Sequence, residues 1–171
     1  MARDADGDEW DELHGEALGE TGYWGRAGSG LIILARDTGR LLLPFRSQEV
    51  LEPGTWGTWG GAIDPGQEPL ESALREAAAE TGHPVSGTDA MLLLVYRDDE
   101  AGFSYHTFLV TEDREFEPSL NWESDDAAWF GHGDWPSPLH PGLAALLADP
   151  LASGKLAAAV AAVSPKPAPG R

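Results

Sequence analysis

Glu76 and Glu80 stand four residues apart in a stretch, Glu68 to Thr81, that reads as a helix. That spacing sets the two carboxylates one turn above the other on one side. Like charges so placed repel by roughly 0.2–0.5 kcal/mol when solvated. A divalent cation between them reverses the sign. Carboxylate oxygens suit Mg²⁺, which keeps several waters and takes substrate phosphates as further ligands. Just upstream, Trp56-Gly57-Thr58-Trp59-Gly60-Gly61 brings bare backbone toward the helix. A glycine carbonyl there can reach a cation that a bulkier residue would block. Asp64-Pro65-Gly66 then turns the chain into the helix. The same residues also suit a solvated acidic helix face behind a glycine loop, and spacing does not choose between the two.

Such a pair needs a rigid support. Pro69 suits a first helical turn, and Gly82 followed by Pro84 stops the element. Leu70, Ala73, Leu74, Ala77 and Ala78 share a broad apolar face that should pack on a sheet. Leu31 to Ala35 and Leu41 to Phe45 are short apolar runs, and the turn Arg36 to Arg40 between them predicts a hairpin. Ser47 to Thr58 reads as loop. Met91 to Tyr96 and Phe103 to Val110 predict a second hairpin, and Trp129-Phe130 closes one more strand. Pro141 to Ala148 reads as a further helix. The expected class is α+β, with helices on opposite faces of a mixed sheet.

The chain has 171 residues, about one domain's worth. Eleven Lys and Arg oppose 29 Asp and Glu, a net charge of −18 that disfavours any general nucleic-acid-coating role. There is no Cys, which excludes disulfides, thiolate metal sites and cysteine nucleophiles. No window approaches a membrane span, and the acidic start MARDADGDEW does not fit a signal peptide. A cytoplasmic protein without membrane partners is the expectation. Residues 1–21 read as an acidic arm, mobile or loosely docked, with Trp10, Leu13 and Leu18 as candidate anchors. Residues 22–150 form the expected domain. Residues 151–171 are an Ala/Pro-rich tail, with a candidate apolar helix at 153–163 and frayed last residues. Arm or tail could serve a homodimer.

The segment GGAIDPGQEPLESALREAAAETGH, Gly60 to His83, resembles the Nudix box. The box runs Gly, five residues, Glu, seven residues, Arg-Glu-apolar-any-Glu-Glu-any-Gly. Aligned on Gly61, the chain keeps Gly61, Arg75, Glu76, Ala77, Glu80 and Gly82. It departs at Gln67 and Ala79, where the pattern has glutamates. The resemblance implies the Nudix fold, an α/β/α sandwich, over roughly residues 22–150. It implies Mg²⁺- or Mn²⁺-dependent hydrolysis of a nucleoside diphosphate linked to another group. The nucleotide sugars, nucleoside triphosphates and dinucleoside polyphosphates are the candidate substrates. By the same resemblance, Glu76 and Glu80 are metal ligands with catalytic roles, Gly60 offers a carbonyl to the metal, and Arg75 orients a box glutamate. A further acid from beyond the box is expected, and Glu123, six residues before Trp129, is the candidate. Gln67 keeps an acceptor oxygen for Arg75, and Glu68 could replace it by a shift in register. A nucleotide-binding or regulatory protein without hydrolysis is the alternative that Gln67 and Ala79 keep open.

Several residues carry two readings. Arg26, Arg36, Arg46 and Arg97 are candidates for phosphate contact or plain surface charge. Trp56 and Trp59 could stack a base or anchor the loop. His106 is a candidate proton carrier or a strand residue, and His132 and His140 are too scattered for a zinc site. Gly28-Ser29-Gly30 suits close backbone passage better than phosphate binding.

Overall fold

Leu31 to Ala35 carry no polar side chain, and all five are fully buried. An unbroken apolar strand needs cover on both of its faces. The computed structural model, which describes residues 5–163 (backbone alone for 5–12), supplies it. Strand β1 (Ala27–Ala35) lies in a six-stranded sheet, beside β2 (Leu41–Arg46) and opposite a short β3 (Trp59–Ala62). Its other edge runs parallel to β5 (Phe103–Glu112), which pairs with β4 (Met91–Asp98); β6 (Ser124–Phe130) closes the far side. The remaining pairings are antiparallel, so the sheet is mixed.

Alternate residues of β1 enter two cores. Leu31 and Ile33 meet helix α2 (Pro69–Thr81) through Ala73 and Ala77, together with Trp59 and Val110. Ile32 and Leu34 meet α3 (Pro141–Ala148) and α4 (Pro150–Val163) through Leu143, Leu146 and Leu156. Each fully buried aliphatic of this kind contributes about 1.5–3 kcal/mol. This is the expected α/β/α sandwich. Both predicted hairpins and the helices at 69–81 and 141–148 are present. The apolar helix expected at 153–163 starts at Pro150, and Ala152, Leu156 and Val160 bury it against the sheet. Among the described residues no single helix is long and apolar enough to cross a membrane.

Two elements differ from expectation. The acidic arm is helical, α1 (Ala5–Thr21). Of its described side chains, His14, Ala17 and Thr21 are buried and Leu18 is half-buried, while Leu13 is 45% exposed and does not anchor it. His14 bonds to Asp64 and Thr21 to the Ala17 carbonyl. The Trp10 side chain and the frayed end expected at 164–171 lie outside the described residues. The glycine loop is in part a strand: β3 pairs Gly60 with Gly30 and Gly61 with Ser29.

Candidate active site

Helix α2 ends where the box pattern needs glycine. Gly82 has φ +66°, a left-handed conformation, and its N–H returns to the Ala78 carbonyl at 2.9 Å. At the other end Pro69 starts the helix, and Glu68 is its exposed N-cap with no side-chain capping bond. Glu68 therefore does not stand in for Gln67. Gln67 itself accepts a hydrogen bond from Arg75 Nη2 at 3.0 Å. The same nitrogen reaches Asp64 Oδ2 at 3.1 Å and Glu76 Oε1 at 3.0 Å. Arg75 thus contacts Glu76, Asp64 and the neutral amide at 67 through one nitrogen.

Glu80 is 5% exposed. Its Oε2 accepts the Gly60 N–H at 2.9 Å. This contact exists because β3 lies so close to β1. A Cβ on Gly60 would collide with the Ser29 carbonyl and Gly30 Cα. Glu76 Oε2 lies beside Gly61, where an added Cβ would sit 3.7 Å from it. Glu123 is fastened by Asn121, whose Nδ2 donates to Glu123 Oε2 at 2.9 Å. Burial, then Glu123 and Glu76, push the Glu80 carboxyl well above the usual carboxylate range; the Gly60 N–H and Arg46 oppose this. Burial also raises Glu76, with Arg75 pulling down and Glu123 adding to the rise. The two helix glutamates and Glu123 are therefore brought within electrostatic reach of one another.

Of the four candidate arginines, Arg46 alone bears on this cluster. Strand β2 shifts register against β6 between Phe45 and Arg46. Such a bulge re-aims a side chain. Arg46 Nε donates to the Leu51 carbonyl at 2.7 Å, and Glu80 and Glu123 favour its charge against a burial that lowers its pKa. Arg26 pairs with Glu20, and Arg36 with Asp89 and Asp113. Arg97 acts on His106, whose pKa falls through burial first. His106 stacks on Phe108 in the α2-side layer. His140 caps α3, accepting from the Gly142 N–H at 2.9 Å, and burial followed by Arg46 pushes it down to about 4. His132 packs edge-on against Trp135. Trp59 is fully buried with its Nε1 on the Leu42 carbonyl at 3.0 Å, and Trp56 packs between Phe45 and Phe130. Both tryptophans therefore serve packing.

Sequence reasoning missed Tyr105 and His14. The Tyr105 hydroxyl lies 3.3 Å from Thr58 Oγ1, and burial pushes it up to about 12, with Glu80 and Glu76 contributing. Its ring fills the space that side chains at Gly28 and Gly30 would take. The signal was there: two glycines, separated by one residue, in a strand that pairs with an aromatic one. His14 Nε2 lies 3.0 Å from Asp64 Oδ1.

The donor set fits a hard divalent cation. Among the described residues no three His, Asp or Glu side chains form a ready-made metal cage. Mg²⁺ does not ask for one: it binds through one or two carboxylates and completes its shell with water and substrate phosphate. Glu80, buried beside two other carboxylates, has the electrostatic need that such an ion would meet.

The family model for the NUDIX domain matches residues 25–149. A Mycobacterium tuberculosis H37Rv protein named "Putative 8-oxo-dGTP diphosphatase 3" is 30% identical over 151 residues, 82% of this chain and 67% of that protein. The crystal structure of a MutT NUDIX hydrolase from Burkholderia pseudomallei matches with TM-score 0.53 at 30% identity, over 69% of this chain and 92% of that one. The Nudix hydrolase RenU from M. smegmatis gives TM-score 0.60 at 26% identity, over 87% and 92%.

Proposed function

Because this chain belongs to the NUDIX family, we propose that it is a divalent-metal-dependent hydrolase of a pyrophosphate bond in a nucleoside diphosphate-linked substrate. The observation that carries this is Glu80, buried, held on the Gly60 N–H and flanked by the charges of Glu76 and Glu123. Glu76, Glu80 and Glu123, with the Gly60 carbonyl, would hold Mg²⁺ or Mn²⁺. When bound, such an ion neutralises phosphate charge and lowers the pKa of a bound water. Arg46 is the chain's own cation placed to meet substrate phosphate. Arg75 holds Glu76 in position. Tyr105, protonated at neutral pH, offers an O–H donor near Thr58. In the reaction water adds to one phosphorus and gives up a proton to solvent, the bridging P–O bond breaks, and the other half of the substrate leaves as a phosphate ester, phosphate or pyrophosphate that keeps the bridging oxygen.

Nucleoside triphosphates, including one with an oxidised guanine, are the substrates to test first, given the name of the M. tuberculosis relative. The test is a panel of these with nucleotide sugars and dinucleoside polyphosphates, each with Mg²⁺ or Mn²⁺, followed by separation of the products. Metal-dependent cleavage of one class supports the hydrolase. Gln67 and Ala79 favour a second reading, a nucleotide sensor on the same scaffold. Tight nucleotide binding with no product from any substrate would select it.

Two variants probe the box directly. Arg75→Lys should lower kcat by about tenfold with little change in folding. A lysine is a point charge and cannot hold Asp64, Gln67 and Glu76 as the planar guanidinium does. Steady-state kinetics and a melting curve check this together. Ala79 is exposed, one turn from Glu76 and Arg75 at the solvent side of α2. Ala79→Glu should add a carboxylate at that rim and tighten Mn²⁺ binding by about tenfold, the lower scale of ligand-shell effects. Calorimetry with Mn²⁺ measures it, and unchanged affinity would show that position 79 points past the ion.

A further inference from the structure

From the geometry we infer that His14, on a helix that precedes the matched domain, is a positioning residue for Glu76, acting through Asp64 and Arg75. This rests on the hydrolase reading only for its effect on turnover. Helix α1 ends before residue 25, where the family match begins. Yet its His14 side chain, 10% exposed, meets Asp64, 18% exposed, in the turn that leads into α2. A carboxylate oxygen only accepts, so the imidazole Nε2 carries the proton in this contact.

The chain of contacts then runs without a gap. Asp64 Oδ1 takes the His14 N–H, and its Oδ2 takes Arg75 Nη2 at 3.1 Å. The same Nη2 donates to Gln67 and Glu76. One nitrogen with two hydrogens thus faces three acceptors. Gln67 is neutral, and hydrogen bonds to charged acceptors are about twice as strong. Asp64 and Glu76 are therefore the two acceptors that decide where the guanidinium sits. With His14 gone, the largely buried Asp64 side chain keeps, among the described residues, one partner instead of two. It then shifts, and Arg75 moves with it, away from the place from which it holds Glu76. The loop after α1 shows that the imidazole is built in. Gly25, φ +85°, donates its N–H to the His14 carbonyl at 3.3 Å, and a Cβ there would press on His14 Nδ1 at 3.0 Å.

The test uses the full chain and three variants. His14→Ala removes the donor. His14→Gln keeps an N–H at about the same reach. Thr21→Val loosens the end of α1 by removing the bonds that Thr21 Oγ1 donates to the Ala17, Tyr23 and Gly25 carbonyls and accepts from the Tyr23 N–H, while the His14 side chain keeps its own contact with Asp64. His14→Ala should lower kcat by about tenfold with KM little changed, the usual scale for a lost supporting partner. His14→Gln should recover most of it, and Thr21→Val should keep wild-type kcat at an equal or larger loss of melting temperature. Independently of activity, the Arg75 side-chain NMR resonances, recorded without metal or nucleotide, should shift in His14→Ala and hold in the other two variants. Resonances that shift this way in a chain with no turnover would retain the inference and sink the hydrolase reading. Turnover with Arg75 resonances indifferent to His14 would overturn the inference. So would equal losses in His14→Ala and His14→Gln, or in His14→Ala and Thr21→Val.

Discussion

Glu80→Gln should cut turnover by about two to three orders of magnitude, the scale of losing one charge-stabilising group at a transition state. It should also stabilise the metal-free protein at neutral pH. The first effect follows from the loss of the anionic oxygen that would hold the cation. The amide still accepts the Gly60 N–H, so the backbone contact at 2.9 Å survives the change. The second effect follows from linkage. Burial, with Glu123 and Glu76, raises the Glu80 pKa in the folded state above its unfolded value. The folded chain then holds a proton more tightly than the unfolded chain does. Stability in the absence of metal is greatest below the unfolded carboxylate pKa, and it is lost as pH rises through the raised folded value. Gln does not titrate, so the variant's stability should be flatter over that window. Melting curves across pH, with and without Mn²⁺, read both effects. A variant that is neither slower nor more stable would place Glu80 outside the site.

Gly60→Ala should destabilise the fold by about 3 kcal/mol, at the upper end for an overpacked core. For a chain of this size that lowers the melting temperature by about 10 °C. The cause is steric: the new Cβ would meet backbone atoms of β1, the Ser29 carbonyl and Gly30 Cα, which have no rotamer by which to escape. Strand β3 would have to part from β1, and the Gly60 N–H would leave Glu80 with it. Activity should therefore disappear along with stability. Gly61→Ala is the control. Its Cβ would meet the Glu76 carboxylate at 3.7 Å, ordinary contact, and the protein should stay folded. Denaturation of the two variants side by side decides it. Equal stability would mean that the β1–β3 approach has more slack than the backbone geometry allows.

The helix that carries Glu76 and Glu80 was legible because its signals are local. Pro69 at the start, Gly82 just past the end and an apolar stripe between them all lie in or next to a helix of thirteen residues. The hairpins were legible for the same reason, as apolar runs joined by short turns. Strand β3 was not. Trp59-Gly60-Gly61-Ala62 has weak strand preference, and its strand character comes from pairing with Gly28 to Leu31, which are equally bare. Helix α1 was hidden by eight acids and interspersed glycines within the first 22 residues. Among the described residues, its contact with the turn into α2 is made by His14, to a residue fifty positions away.

The α+β class, the acidic character, the pair of glutamates at one-turn spacing and the arginine beside them are all written in neighbouring residues, whose helical and strand periods follow from backbone geometry alone. Which charges meet is another matter. That Glu123 and Arg46 come to Glu80, that Tyr105 fills the space beside Gly28 and Gly30, and that His14 reaches Asp64 depends on strand order, on a register shift between Phe45 and Arg46, and on bare glycine backbone in β1 and β3. Those are contacts between segments far apart in the chain, and only the assembled sheet brings them together.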